Sequence, residues 1–380
     1  MALYKTLVKK VSISPEKKTK QKDYLPKGRL PIIDQGQQLV GGYSDNFDMQ
    51  LSCNLPVIVF GDHTRAVKYV EFPFGAGADG IKVLEPAEGI YPKFLYYATQ
   101  YLVLRLEDRG YARHYQYIEK KELDIPCVSE QKRIVAQIEE LFSKLDNGVE
   151  TLRKTKQQLA VYRQAVLKQA FDRAGKTELS LKQIIEKPRY GTSKKCSYDL
   201  DEASVPVYRI PNINYLQGLI SHDDLKYAAF TEDEFDSLRL CSGDILIIRS
   251  NGSISLVGRS AVVTEKDTHG LFAGYLMRLR IKNHREMLPQ YLNLYLNTHN
   301  ARYQIEQMAK STSGVNNINS DEICRINLPV CDIDMQRAII QEVEARLSVC
   351  DSIEKTVDTA LQQAEAMRQS ILKQAFEGRL

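Results

Sequence analysis

The chain writes the same long segment twice. Gln336 to Leu380 reads QRAIIQEVEARLSVCDSIEKTVDTALQQAEAMRQSILKQAFEGRL, and Gln131 to Gly175 reads QKRIVAQIEELFSKLDNGVETLRKTKQQLAVYRQAVLKQAFDRAG. They align without a gap at an offset of 205. Identical pairs include Gln131/Gln336, Glu139/Glu344, Asp146/Asp351, Arg163/Arg368 and the run LKQAF. A repeat this long fixes the organisation of everything around it. Neither copy contains Pro, and strong helix formers dominate both, so both read as helix. Ile138, Leu145, Leu152, Leu159 and Val166 recur every seven residues in the first copy. Val343, Cys350, Val357, Ala364 and Ile371 do so in the second. Ile134, Leu141 and Tyr162, and then Ile339, Ile353 and Met367, fall on the adjacent line. A sustained seven-residue period is a coiled-coil seam. Two equal seams in one chain can pair internally, as an antiparallel coiled coil, without an association cost; pairing between two copies of the chain is the alternative. Gly148 is the expected weak point of the first helix, since Gly costs about 1 kcal/mol against Ala.

The segments before the helices also correspond. Each opens on an amphipathic stretch (Tyr4–Val11, Leu179–Ile185), a Lys-rich loop and a Pro-led strand (Leu30–Ile33, Val205–Tyr208). Apolar β-branched core strands follow, Pro56–Phe60 and Asp244–Ile248, with Ala66–Phe72 and Leu256–Val263 after them. Gly80–Leu84 then matches Gly274–Ile281, and a Pro-started helix ends each set, Pro92–Leu106 and Pro289–Ala309. The expected organisation is a globule over 1–128, a helix over 129–175, a globule over 176–331 and a helix over 332–380. The fold class is α+β: two globular α/β domains with mixed or antiparallel sheets, separated by two long helices, in a pseudo-two-fold internal repeat. If the helices lie antiparallel, the globules sit at opposite ends.

Composition excludes several classes of function. No apolar run approaches the 18 or so residues of a membrane span, and Met1–Lys10 carries no signal-peptide pattern, so the expectation is a cytoplasmic protein without a membrane partner. The seven cysteines are scattered, with no CxxC and no His at ligand spacing, which speaks against disulfides and zinc. Gly75–Gly80 matches GxGxxG, but a second strand rather than a helix is expected after it, so a dinucleotide site is disfavoured. P-loop, HExxH and GxSxG motifs are missing. Net charge is +4, yet the first 30 residues hold nine Lys/Arg against Glu16 and Asp23. A basic patch of that kind suits a polyanion.

In their order along the chain, these residues resemble the specificity subunits of type I restriction–modification systems. The second half carries the most specific parts: Asp224–Tyr227 (DLKY), Gly243–Ser253 (GDILIIRSNGS), Val257–Arg259 (VGR), Phe272–Tyr275 (FAGY), Ser313–Asn319 (SGVNNIN) and Arg368–Lys373 (RQSILK). In the first half Pro31–Gln37, Gly41–Tyr43, Pro56–Arg65 and Ala78–Gly80 fit the same family. One departure is Gly110–Gln116 (GYARHYQ), which stands where the second half has Ser311–Asn317 (STSGVNN). The resemblance implies a non-catalytic DNA-recognition subunit with two target recognition domains that read a bipartite site. Its helices would act as spacers and dock two methyltransferase (M) subunits, with motor/endonuclease (R) subunits joining for restriction. No cofactor is expected on the chain itself; S-adenosylmethionine and ATP would belong to partner subunits. A coiled-coil scaffold whose globules bind protein rather than DNA is the alternative.

Arg can bond guanine in a bidentate manner, and Asn or Gln adenine. Loops after strands collect binding groups. The candidate double-stranded-DNA contacts in the second domain are therefore Arg249, Ser250, Asn251, Ser253, Arg259, Ser311, Ser313, Asn316 and Asn317, with Lys194 and Lys195 on phosphates. In the first domain they are Gln35, Gln37, His63, Thr64, Arg65, Arg113 and His114. Each polar residue of this kind also has an ordinary reading as turn chemistry. Ile138, Leu145, Leu152, Leu159, Val343, Val357 and Ile371 are the expected coiled-coil and subunit-docking positions.

Overall fold

The computed structural model of the 380-residue chain describes every residue except 79, 108–109, 111, 200, 202–203 and 313, and describes 310–312 by backbone alone. Two compact units result. One takes Met1–Lys154 with Val357–Leu380, the other Thr155–Thr356. The units thus divide both long helices, Val128–Phe171 and Ile333–Phe376, rather than leaving them as separate segments. Each helix is continuous over 44 residues. The first runs straight through Gly148, where the sequence suggested a weak point.

Within each unit a stretch of one helix packs antiparallel on a stretch of the other. In the first unit Val135, Ile138 and Phe142 share a core with Leu372 and Ala375, and Arg368 pairs with Asp146. In the second, Ile339 and Val343 share a core with Val166, Leu167 and Ala170, and Arg163 pairs with Asp351 at 2.6 Å and Glu354 at 3.0 Å. The two ion pairs are the same pair under the 205-residue repeat. Most of the expected seam is buried: Ile138, Leu159, Val166, Val343, Cys350, Val357 and Ala364. Leu145, Leu152 and Ile371 are half-buried. The adjacent line is not a seam throughout, because Tyr162, Ile353 and Met367 are 43%, 40% and 55% exposed. Two helices in a pair cover a narrow stripe of one another, and Tyr162 instead lies under the Arg346 guanidinium.

The LKQAF repeat and its upstream glutamine explain how helix joins globule. Phe171 inserts between Tyr291 and Tyr295, with ring centroids at 4.9 and 5.3 Å. Phe376 does the same against Phe94 and Tyr101, both at 5.2 Å. At the other end of each helix a buried glutamine clamps the boundary. Gln131 accepts from Tyr91 N and donates to Gly89 O and Pro126 O. Gln336 accepts from Leu288 N and donates to Glu286 O and Cys331 O. Three hydrogen bonds per amide satisfy backbone groups that would otherwise be stranded where strand meets helix.

In the first unit an antiparallel sheet orders Val8–Val11, Ile81–Pro86, Val57–Gly61 and Val67–Val70. A second sheet orders Lys18–Thr19, Gly75–Gly77, Leu30–Ile33 and Gly42–Ser44, the first three strands parallel. The first half of the GxGxxG segment, Gly75–Gly77, is therefore strand, and Ile81–Pro86 follows as another strand; Asp79 of that segment lies outside the described residues. The second unit repeats this plan. Ile245–Ile248 sits centrally between Leu276–Leu279 and Ser260–Val262. Ser204–Tyr208 pairs parallel with Leu271–Phe272 and antiparallel with Lys226–Ala229. The Pro-started segment expected over Pro289–Ala309 is two helices, Pro289–Leu296 and His299–Met308. Thr298 ends the first and caps the second by accepting from Ala301 N.

Candidate nucleic-acid interface

Parallel strands bring their C-terminal ends to one edge, where loops gather. In the first unit that edge follows Thr19, Ile33 and Gly77. In the second it follows Tyr208 and Phe272, with Thr192 bridged in parallel to Ala273. Asp34 and Arg209 are thus the first residues past matching strands, and the two units offer matching edges with different chemistry.

The first edge is built from amides and hydroxyls. Gln35, Gln37 and Thr64 meet there: Thr64 Oγ1 donates to Gln35 O, and Gln37 Nε2 donates to Thr64 O at 3.5 Å. Arg65 has a positive φ of 60° and its Nε donates to His114 Nε2 at 3.3 Å. His114 is buried, its N–H on Asp62 O at 2.8 Å. Asp62 Oδ1 accepts from Tyr115 N and Oδ2 lies 3.5 Å from Lys82. His63 is half-buried beside them, and Arg113 is exposed. The chain therefore draws Gln35, Gln37, Thr64, Arg65 and His114 into one neighbourhood from three separate segments. Lys20 and Lys22, from the basic amino-terminal stretch, are exposed just past the first of the parallel strands.

The second edge is cationic and aromatic. A cleft of about 560 Å³ is lined by Thr192, Lys194, Arg209, Lys226, Arg249 and Tyr275 among others. Arg249 Nη1 donates to Gly274 O at 3.0 Å, and its guanidinium lies over the Tyr190 ring, 4.9 Å from the centroid. Tyr190 is pinned in turn, its hydroxyl accepting from Ser320 N at 3.0 Å. Arg209 reaches Asp224 at 2.9 Å, and Lys226 covers the Tyr198 ring at 4.6 Å. Lys194 pairs with Glu234 at 2.6 Å and covers Phe230. Lys195 is exposed nearby.

Asn251 and Asn316 sit opposite one another in a small sheet formed by Ser250–Asn251, Val315–Asn317 and Lys310–Thr312. Asn316 Nδ2 donates to Gly252 O at 3.0 Å, Asn317 Nδ2 to Val315 O, and Asn251 Oδ1 accepts from Ser253 N. Ser250 is buried. Ser313 lies outside the described residues, as does the Ser311 side chain. Arg259 faces elsewhere. It donates to Ser255 O and Asn297 Oδ1 and lies over Tyr215, along a separate cavity of about 490 Å³. Burial holds its pKa below the ordinary arginine value.

Sequence reasoning missed Tyr190, Arg209, Lys226 and Tyr275 as site residues. Two of them, Lys226 and Tyr275, belong to the quoted motifs DLKY and FAGY, so part of the signal was present without its geometry. It also missed Arg302, whose buried guanidinium donates to Val257 O, Ile254 O and Ser255 O and so props the loop after Asn251. Burial lowers the pKa of that group to about 10.

Among the described residues there is no cluster of three or more His, Cys, Asp or Glu able to hold a metal, and no helix long and apolar enough to cross a membrane.

No family model matches the chain. Sequence relatives are nevertheless clear. The chain is 28% identical over 276 residues to the specificity subunit of the type I restriction enzyme EcoKI from Escherichia coli K12, covering 68% of this chain and 57% of that one. It is 27% identical to the StySPI specificity subunit of Salmonella potsdam, with the same coverage. The chain thus spans little more than half the length of these curated relatives. Against the EcoR124I/EcoR124II specificity subunit of Escherichia coli, identity is 23% and coverage 88% of this chain and 83% of the relative. In fold it is similar to a chain from a type I restriction–modification assembly, with a TM-score of 0.70 at 14% identity, covering 100% and 97% of the two chains. The HsdS subunit of Thermoanaerobacter tengcongensis gives 0.51 at 15% identity, covering 100% and 96%.

Proposed function

We propose that the chain is the DNA-recognition subunit of a type I restriction–modification complex and reads a bipartite duplex site, one half with each unit. The observation that carries this is the matched pair of edges: the same parallel-strand ends, one dressed with Gln35, Gln37 and Thr64, the other with Arg209, Lys226 and Arg249. A scaffold that gripped two copies of one protein would call for two like surfaces. Unlike surfaces on like frames suit two different short sequences. Fixed aromatic-backed guanidinium and amide groups match base edges, while exposed lysines such as Lys20, Lys22 and Lys195 match phosphates.

In this reading the chain contributes recognition and no chemistry of its own. Two methyltransferase subunits dock on it and carry S-adenosylmethionine, motor/endonuclease subunits carry ATP, and the assembly works in the cytoplasm. The continuous helices, each about 66 Å long at 1.5 Å per residue, act as spacers. The deciding experiment is to co-express the chain with its methyltransferase partner and map modified bases genome-wide. A single gapped, two-part motif is the expected result. A stable complex that modifies nothing would favour the scaffold reading, and failure to form a complex would overturn the proposal.

A further inference from the structure

On the strand Val67–Val70 the side chains alternate half-buried, buried, half-buried, buried, so Lys68 occupies an inward position that the pattern reserves for an apolar residue. It is 5% exposed. Its ammonium donates to Asp34 O at 2.8 Å and Asp34 Oδ1 at 3.4 Å. Burial pulls its pKa below the ordinary lysine value, and Asp34 offsets only part of that. Asp34 Oδ1 also accepts from Gly36 N at 2.9 Å, which closes the turn carrying Gln35 and Gln37. Tyr24 bears on the same carboxylate; burial first, then Asp34, raises its pKa to about 12. Gly80, at φ +93°, admits the Gln35 side chain into space that any Cβ would fill. The turn is thus tied through Asp34 to an ammonium that is buried, while the carboxylate is 22% exposed.

A lysine buried in this way is not what a fold needs for stability, since an apolar replacement of similar volume is often neutral or better. The second unit makes the point within the same chain. There the loop past the matching strand is held by a neutral side chain, the fully buried Asn212, which accepts from Arg209 N and donates to Ser221 O and Asp223 O. A local choice that breaks the hydrophobic pattern without need marks a functional site.

Building on the proposed DNA reading, we infer that Lys68, through Asp34, is a positioning residue that presets the Gln35–Gln37 turn and thereby sets base preference in the first half-site. It touches no DNA itself. The ion pair fixes where the turn's backbone leaves the sheet, and so which way Gln35 and Gln37 are offered.

The test uses the full chain co-expressed with its methyltransferase partner, with the modified-base map as readout. Lys68→Met removes the charge at matched length, and Lys68→Met/Asp34→Asn removes both charges while keeping the Asn oxygen as an acceptor for Gly36 N. The double variant melts near the wild type and decides the matter if Lys68→Met alone does not fold. The expected result is a drop of roughly tenfold or more in preference at positions of the first half-site, with the second half-site and the spacer unchanged. Rescue by Lys68→Arg, with partial return of the wild-type motif, supports a charge-dependent placement. An unchanged first half-site, or equal loss in both, overturns the inference while leaving the DNA reading intact. A wild-type chain that yields no two-part motif removes both together.

Discussion

The two units share a frame and differ at the edges past their parallel strands. The first holds its turn with the Lys68–Asp34 pair, whose ammonium is buried, and presents the amides of Gln35 and Gln37. The second holds its turn with the neutral Asn212 and presents arginines backed by tyrosines. The lesson is that the duplicated frame carries stability, while the loops past the parallel strands were free to change their chemistry independently.

That comparison can be broken most forcefully at the helix ends. Phe171 is buried between two tyrosines, whereas Phe376 is only half-buried in the equivalent place. Phe171→Ala should cost about 3–5 kcal/mol and Phe376→Ala clearly less. Denaturant unfolding of both variants checks it, and equal losses would mean that the two sockets are equally filled. The buried glutamines provide the opposite expectation. Gln131→Ala and Gln336→Ala each strand three backbone groups, so each should cost about 2–3 kcal/mol, and by the same amount within error. A marked inequality would show that the two clamps are not equivalent.

The ion pairs on the helices sharpen the contrast further. Burial works against the charge on Arg163, but Asp351 and Glu354 outweigh it and its pKa rises. Arg368, the matching residue, meets Asp146 at a more exposed position. Arg163→Ala should destabilise by roughly 3 kcal/mol, because two carboxylates lose their partner at a partly enclosed site, and Arg368→Ala by under about 1 kcal/mol. At the edge of the second unit, Arg249→Ala should cost only about 1 kcal/mol in stability yet relax base preference in the second half-site only. A loss spread evenly over all sequences would make Arg249 a phosphate contact.

The smallest effect concerns pH. Arg173, by hydrogen bond and charge, holds the Glu342 carboxyl below its ordinary value. A depressed carboxylate contributes stability that is present above the unfolded-state pKa and fades as pH falls through the folded one. Glu342→Gln should therefore flatten, slightly, the acid limb of a melting-versus-pH curve. Identical curves would show that the surface pair contributes nothing measurable.

Much of the fold was legible because it was written twice. The heptad line through Ile138, Leu159, Val343 and Val357 specified which helix face is buried, since apolar spacing alone determines that. The paired LKQAF runs marked where helix docks on globule. The break at Asn297–Thr298 was not legible: the Pro289–Ala309 stretch reads as one helix, and only the cap formed by Thr298 divides it. Tyr162, Ile353 and Met367 looked like seam positions but are exposed, because sequence spacing cannot say how wide a stripe the partner helix covers.

The candidate site divides in the same way. The sequence by itself determined the residue types after each strand: amides and hydroxyls near Gln35 and Thr64, Arg and Asn near Arg249. Those types follow from short segments and need no partner. Only the tertiary structure decided which of them converge. It set Arg209 and Lys226 beside Arg249, turned Arg259 into another cavity, and put Lys68 beneath Asp34. Such placements depend on the order and direction of strands distant in the chain, and on which charges the packing leaves uncompensated. A residue's own neighbours in sequence carry no record of either.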